Sequence, residues 1–331
     1  MRPFSYAKPS SAAEAVRAIA AGGPGTRFLA GGTTLYDLMK LDVEMPSSIV
    51  DVNSLAELSS FDTSGSRELV FGALARMSDV AADPQLVRDY PALSESLWRA
   101  ASQQLRNMAS LGGNLLQRTR CAYFRGGQPF ACNKRKPGSG CSAIGGIDRG
   151  HALLGGSESC IAVYPGDWAI ALAAFDAKID VLGPNGERTI GLEDLHREPG
   201  TTPHVETTLE PDELILRIRV PATALGRAST YHKIRDRESY AFALASAAVA
   251  LQMEGDSVRD TRIAIGGVAT RPWRVREAEK ILIGQRLTTQ TARAAGEAAF
   301  RGAQPGQHNR FRIELGIRTV ADALLIAKRR A

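Results

Sequence analysis

The sequence contains no hydrophobic run long enough to cross a bilayer. Its longest apolar stretches, around Ala241–Leu251 and Trp168–Phe175, stop well short of the ~20 residues that a membrane-spanning helix needs. The amino-terminal residues Met1-Arg-Pro-Phe-Ser-Tyr6 enter a charged amphipathic segment without an apolar core or a small-residue cleavage site. The chain is therefore expected to carry no export signal of its own and to be made in the cytoplasm, any export depending on a partner. Two phosphate-binding fingerprints are also missing. Neither Gly-x4-Gly-Lys-Ser/Thr nor Gly-x-Gly-x-x-Gly occurs, which removes the main support for an ATPase or an ordinary dinucleotide-binding Rossmann domain. Internal repeats and low-complexity segments are absent, and so is any Cys-x2-4-Cys pair, the spacing by which a tight turn presents two sulfurs to one zinc ion.

What is present is a chain of 331 residues, 44% hydrophobic and 23% charged, a balance that excludes a coiled coil or a disordered tail and gives length for more than one core. Forty-one Lys and Arg against 35 Asp and Glu leave a net charge of +6, and the excess is concentrated. Between Arg118 and Arg149 stand Arg118, Arg120, Arg125, Lys134, Arg135, Lys136 and Arg149 against the single acid Asp148. All four cysteines, Cys121, Cys132, Cys141 and Cys160, lie in or just beyond the same stretch.

The pattern along the chain is mixed α and β. Ser11-Ala-Ala-Glu14 reads as a capping box opening a helix that stops at Gly22-Gly23-Pro24. Strands are expected at Thr26–Ala30, Ser48–Val52 and Glu68–Leu74, with helices at Leu35–Lys40, Met77–Val87 and Pro91–Ser102. Beyond the cysteines, Asp167–Phe175 reads as a buried helix, and Ala177–Leu182 with Glu187–Ile190 as a hairpin around an Asn-Gly turn. A strand at Glu213–Val220 ends at Pro221, and residues 221–226 form the candidate domain boundary. Strands near Thr230–Arg235, Ala241–Gln252 and Thr261–Val268 then precede helices near Arg274–Leu282, Thr291–Arg301 and Phe311–Lys328. That order suggests an α+β domain with helices on one sheet face.

Two Gly-Gly turns stand out, Leu29-Ala-Gly-Gly-Thr-Thr-Leu35 and Ser110-Leu-Gly-Gly-Asn-Leu115. Glycine lets a ligand approach backbone amides without a Cβ in the way, and a helix that begins just afterwards adds donors and a positive dipole end. Such turns suit a pyrophosphate, with Thr33, Thr34, Ser110 and Asn114 as further donors. They also suit ordinary tight turns.

The cysteine spacing is Cys-x10-Cys-x8-Cys-x18-Cys, in a segment rich in Gly, Pro, Asn and Arg. So few apolar residues cannot order it alone. Without an export signal, disulfides are disfavoured and thiolate ligation of a metal centre is the stronger reading. Widely spaced sulfurs fit a cubane [4Fe–4S] cluster, whose four irons are reached from separate directions, better than zinc. Four buried small hydrophobes remain an alternative. So does nucleic-acid binding, with Tyr123, Phe124 and Phe130 stacking among the arginines, although nothing else in the chain resembles a nucleic-acid module.

Phe28-Leu-Ala-Gly-Gly-Thr-Thr-Leu35, Leu105-Arg-Asn-Met-Ala-Ser-Leu-Gly-Gly-Asn-Leu115 and Lys233-Ile-Arg-Asp-Arg-Glu-Ser-Tyr-Ala-Phe-Ala243 resemble the FAD-binding medium subunits of molybdenum hydroxylases, the xanthine dehydrogenase and carbon monoxide dehydrogenase family. The resemblance covers essentially the whole chain. Ordinary members lack the cysteine segment. Asn114-Leu-Leu-Gln-Arg-Thr-Arg-Cys121, Cys132-Asn-Lys-Arg-Lys-Pro-Gly-Ser-Gly-Cys141 and Ser159-Cys-Ile-Ala162 are similar to the [4Fe–4S]-carrying flavin subunits of bacterial periplasmic aldehyde oxidoreductases, with 4-hydroxybenzoyl-CoA reductase flavin subunits next.

The resemblance implies an FAD-binding domain of the vanillyl-alcohol oxidase (PCMH) type with two subdomains over residues 1–224, carrying an iron–sulfur insertion at about 118–162. It further implies a C-terminal cap of the carbon monoxide dehydrogenase flavoprotein type over 227–331. It places Leu29, Ala30, Gly31, Gly32, Thr33, Thr34 and Leu35 with Ser110, Gly113 and Asn114 on the pyrophosphate and ribityl chain, and Asp167 at the adenosine end. Leu214 or Ile215 would line the ring pocket, Lys233 would lie near the isoalloxazine and Tyr240 would shield one flavin face. Cys121, Cys132, Cys141 and Cys160 would hold the cluster. The implied function is electron transfer in a heterotrimeric aldehyde oxidoreductase. A large subunit would carry the molybdenum cofactor and a small one [2Fe–2S] clusters, neither of which has a motif in this chain. Electrons would leave through FAD to an external acceptor, and a partner with a twin-arginine signal would carry the complex to the periplasm. The alternatives are a flavin subunit of reductase-like or xanthine dehydrogenase-like type, or a metal-stabilised binding protein without flavin.

Overall fold

The computed structural model describes residues 2–331. Its first unit contains β1 (Ser5–Ala7), α1 (Ala12–Gly22), β2 (Thr26–Leu29), α2 (Leu35–Lys40) and β3 (Ser48–Asp51), with the strands parallel in the order β1-β3-β2. Ser11 caps α1 by accepting from the Glu14 amide. The reciprocal half of the expected capping box is displaced by one residue: the Glu14 carboxylate takes the amide and hydroxyl of Ser10, at 2.8 and 2.7 Å. Gly23, at φ 70°, then stops the helix where the sequence places its end.

The second unit is a sheet in the order β4-β5-β8-β6-β7, made of β4 (Phe61–Asp62), β5 (Glu68–Gly72), β6 (Lys178–Gly183), β7 (Gly186–Gly191) and β8 (Leu214–Pro221). Its pairings are antiparallel. Around it run α3 (Met77–Ala81), α4 (Pro84–Asp89), α5 (Pro91–Trp98), α6 (Gln103–Met108), α7 (Leu111–Leu115), α8 (Ala122–Arg125), α9 (Trp168–Ala174) and α10 (Leu192–Leu195). The single helix expected over Met77–Val87 is two, because proline is tolerated only in a helix's first turn. Asp83 instead starts α4 by accepting from the Leu86 amide. The hairpin turn is also shifted by one residue: Pro184 and Asn185 form it, and Gly186, at φ 107°, is already paired with Gly183. Every residue of α9 is buried, and Trp168 meets Phe71 edge-on with centroids 5.7 Å apart.

The third unit is an antiparallel sheet, β12-β11-β10-β9, of β9 (Ser229–Ile234), β10 (Ala245–Glu254), β11 (Ser257–Gly266) and β12 (Trp273–Arg274), followed by α11 (Arg276–Leu282), α12 (Thr289–Ala299) and α13 (Phe311–Lys328). Helices on one face were expected, and the other face is covered as well. Ala247, Val249 and Leu251 of β10 join the core with the C-terminal helices, whereas Ala248 and Ala250 join the core of the second unit with α5 and α9. This two-sided burial explains the continuous apolar run, since a strand covered on both faces loses its polar alternation. The strand begins at Ala245, not Ala241: pairing with β9 opens at Ala245 opposite Ile234, so residues 235–244 form the connecting loop. No helix among the described residues is long and apolar enough to cross a membrane.

Candidate functional site

The two glycine turns, far apart in sequence, meet in space. A Cβ on Gly31 would stand 1.9 Å from the Met108 carbonyl oxygen and 3.1 Å from Ala109 Cα, so only glycine lets the first turn pack against the segment entering the second. Arg76 braces the junction. Its guanidinium donates to the Met108 carbonyl and, at 3.3 Å, to Asn53 Oδ1, and Asn53 Nδ2 donates to Ala30 O at 2.8 Å. Sequence reasoning missed both residues, since neither carries a local signal. Gly32 takes φ 72°, which favours glycine.

Leu29, Ala30, Gly31, Gly32, Thr33, Thr34 and Leu35 are all partly exposed. Among the described residues, the backbone N–H groups of Gly31 through Leu35 have no protein acceptor within hydrogen-bonding reach. Successive amides of this kind form a concavity that binds anions. The second turn is tighter: Ser110 Oγ accepts from Gly113 N at 3.3 Å, and Asn114 N donates to Ser110 O at 2.8 Å. The Asn114 side chain approaches Met77 sulfur at 3.5 Å while its Oδ1 is buried without a partner. Unpaired backbone amides in the first turn fit the phosphate oxygens of a dinucleotide, and the orphaned amide oxygen of the second fits a hydroxyl donor of the same cofactor laid across both.

The structure departs from the expected roles of Asp167 and Lys233. They do not stand at opposite ends of a dinucleotide: Lys233 Nζ donates to Asp167 Oδ2 at 2.8 Å and to Arg99 O at 3.1 Å, and Tyr231 OH donates to Asp167 Oδ1 at 2.5 Å. All three side chains are buried. Burial, with the Asp167 charge beside it, pushes the Tyr231 hydroxyl well above its ordinary pKa. Leu214 and Ile215, each buried, point to opposite faces of β8, Leu214 into the core with Leu74 and Ala30 and Ile215 into the central core. Tyr240 is 55% exposed in the β9–β10 loop at φ 51°. The strand expected to start at Ala241, next to it, does not begin until Ala245, and the Tyr240 carbonyl accepts from Arg237, whose guanidinium lies 5.4 Å from the Tyr240 ring.

Cys121, Cys132, Cys141 and Cys160 line one small cavity together with Tyr123, Phe124 and Lys134. All four are free thiols. Cys132 and Cys141 face each other across an isolated antiparallel bridge, and Cys160 is paired in the same way with Ser157. Burial pushes the Cys121 thiol up to about 11, and burial raises Cys160 as well, with neighbouring cysteines adding to both. Such thiols ionise readily only beside added positive charge, as a metal centre supplies. Among the described residues no three His, Cys, Asp or Glu side chains converge closely enough for a single metal ion. Four free thiols around one cavity are the kind of donor set that an iron–sulfur cluster would take.

The segment is ordered by more than its cysteines. Phe124 packs with Leu38 of α2 and Cys132 in a small core of its own. Arg135 donates to the carbonyls of Tyr123, Phe124, Gly127 and Phe130. The basic excess is met by acids from outside the segment: Asp37 pairs with Arg120 and Arg125, Glu44 and Glu206 with Arg118, Glu206 with Lys134 and Asp236 with Arg149. Although burial opposes its ionisation, the Lys134 and Arg118 charges hold Glu206 below the usual carboxylate range. Arginines engaged in this way do not present the open cationic face that nucleic-acid binding needs.

One residue outside the segment closes it. Arg312 of α13, 1% exposed, donates to His151 O at 2.7 Å, Arg149 O at 3.3 Å and Leu244 O at 2.8 Å, and also to Gly267 O. Burial lowers its pKa to about 10.

Comparison with known proteins places the chain in a family. The profile of the FAD binding domain in molybdopterin dehydrogenase matches residues 2–223, and that of the CO dehydrogenase flavoprotein C-terminal domain matches residues 229–327. The chain is 45% identical over 333 aligned positions, all of both chains, to the aldehyde oxidoreductase FAD-binding subunit PaoB of Escherichia coli (strain K12). It is 29% identical to the carbon monoxide dehydrogenase medium chain of Hydrogenophaga pseudoflava, over 92% of this chain and 88% of that one. A solved carbon monoxide dehydrogenase structure from Hydrogenophaga pseudoflava superposes with a TM-score of 0.78 at 27% identity, covering 100% of this chain and 99% of the other. With two braced glycine turns in an FAD-binding domain and a flavoprotein C-terminal domain behind it, the chain belongs to the FAD-binding medium subunits of the molybdenum hydroxylase family.

Proposed function

We propose that this chain is the electron-transfer subunit of a three-subunit, molybdenum-containing aldehyde oxidoreductase, holding FAD between its glycine turns and a [4Fe–4S] cluster on Cys121, Cys132, Cys141 and Cys160. The reading rests above all on four free cysteines that line one cavity in a flavin-domain fold. Full-length similarity to an aldehyde oxidoreductase subunit favours an aldehyde over a purine or an aromatic thioester as the substrate of the assembled enzyme. When bound, FAD and the cluster supply the redox chemistry, taking electrons that originate in aldehyde oxidation on the partner and passing them to an external acceptor. This chain's residues provide the rest. The Gly31–Leu35 amides and Asn114 hold the dinucleotide, Arg76 and Asn53 keep the two turns together, and Tyr240 is placed at the exposed loop where an acceptor can approach. Isolated activity on aldehydes is not expected.

Iron, acid-labile sulfide and flavin analysis of the assembled complex, with and without Cys132→Ser, tests the reading. The native complex is expected to hold about four irons beyond those of its [2Fe–2S] partner, and non-covalent FAD released by acid. Cys132→Ser is expected to lose those four and lower the yield of assembled complex. Equal iron in both would remove Cys132 from the ligands.

A further inference from the structure

The His151 ring stands against the cysteine cavity without lining it. Its Nε2 lies 3.2 Å from Cys121 Sγ. The residue is 6% exposed, and its Nδ1 is buried with no hydrogen-bond partner. The ring is held there from several sides. His151 N donates to Asp148 O at 2.8 Å, while His151 O accepts from Arg312 Nη1 at 2.7 Å and from Asn309 Nδ2 at 3.3 Å. The Tyr123 ring lies 6.1 Å away, and its hydroxyl accepts from Ile147 N at 2.8 Å. The turn is therefore pinned to the C-terminal unit through α13, and among the described residues the ring has one polar contact, a sulfur.

We infer that His151 is a positioning residue for the iron–sulfur centre, donating an Nε2–H hydrogen bond to the Cys121 sulfur and raising the centre's reduction potential. The inference rests on the cluster reading above. A sulfur that ligates iron has no proton to give, so a hydrogen bond at this distance must run from the imidazole to the sulfur. That fixes the tautomer with hydrogen on Nε2 and a lone pair on the buried Nδ1. A donor on a ligating sulfur withdraws electron density from the iron, and the effect grows as the centre gains an electron, so the reduced state is favoured. Among the described residues the other three cysteine sulfurs have no side-chain donor of this kind within hydrogen-bonding reach. The Cys121 corner is thereby distinguished from the rest.

The test is a potentiometric titration of the assembled complex followed by electron paramagnetic resonance, on native protein, His151→Phe, His151→Gln and His151→Asn, with iron and sulfide measured on each. Phenylalanine keeps the ring and removes the donor. Glutamine returns an N–H near the position of Nε2, and asparagine is too short to reach it. The expected result is a full complement of iron with a potential shifted to more negative values in Phe and Asn, and restored toward native in Gln. Should the Phe variant fail to assemble, the Gln and Asn pair decides alone. Equal potentials in those two would overturn the inference, as would a native-like value in Phe. A native complex without iron beyond its [2Fe–2S] partner would instead overturn the cluster reading on which the inference stands.

Discussion

At Gly31 a methyl group would meet the Met108 carbonyl 1.9 Å away, so Gly31→Ala must push the two cofactor turns apart. FAD retention is expected to weaken at least tenfold, about 1.4 kcal/mol, as measured by flavin content after dilution and gel filtration. Asp167 carries a different risk. With Lys233 1% exposed at its side chain and paired to it, Asp167→Asn leaves a buried ammonium without its counter-charge, a loss of about 3–5 kcal/mol in thermal or denaturant unfolding. Asp167→Asn combined with Lys233→Met should recover much of that, because a methionine of similar volume removes the buried ammonium left without its counter-charge. A double variant no more stable than the single one would contradict this account. The glycine turns were legible in the sequence because backbone conformation and close approach are written locally. The Asp167–Lys233 pair spans 66 residues, and its partnership is made only when the sheet that carries β9 packs against α9 through β10 and β11.

Among the elements, β6 and β8 are joined by a charged rung. Asp180 of β6 is 5% exposed and accepts from Arg217 Nε and Arg219 Nε of β8, each at 2.8 Å, and from Thr189 Oγ1 of β7 at 2.8 Å. Burial alone would raise its carboxyl, but the hydrogen bonds from Arg219, Arg217 and Thr189 outweigh it and hold the pKa at about 2. A depressed carboxylate stabilises the fold above its unfolded pKa of about 3.9 and ceases to do so as pH falls toward its folded value. Native protein is therefore expected to lose about 2 kcal/mol from this rung between about pH 4 and pH 2, whereas Asp180→Asn shows no such step. Denaturant midpoints of both proteins across that range would show it, and parallel acid limbs would refute it. Element types were readable from periodicity and from capping signals such as Ser11 and Asp83. Boundaries failed where tertiary pairing decides them, as at residues 241–244, whose continuous apolar run reads on into the buried strand although β9 pairs with β10 only from Ala245 onward.

At the scale of the molecule, the cores are joined by strands such as β8 and β10 that bury their two faces in two cores at once, and the cysteine segment is fastened across them. The concentration of cysteine and positive charge marked the segment in the sequence, but the acids that meet the charge, Asp37, Glu44, Glu206 and Asp236, come from regions with no local reason to stand out. Arg312 belongs to that unreadable part. One guanidinium holds the carbonyl of His151, beside the sulfur cavity, and the carbonyl of Leu244, at the end of the loop that carries Tyr240. Electron tunnelling falls off exponentially with separation, so loops that fluctuate independently produce a spread of transfer rates weighted toward their rare closest approaches. If the two loops flank redox centres as proposed, fastening both to a single hub would make them move together and narrow that spread toward one rate, set in part by the length of an arginine side chain.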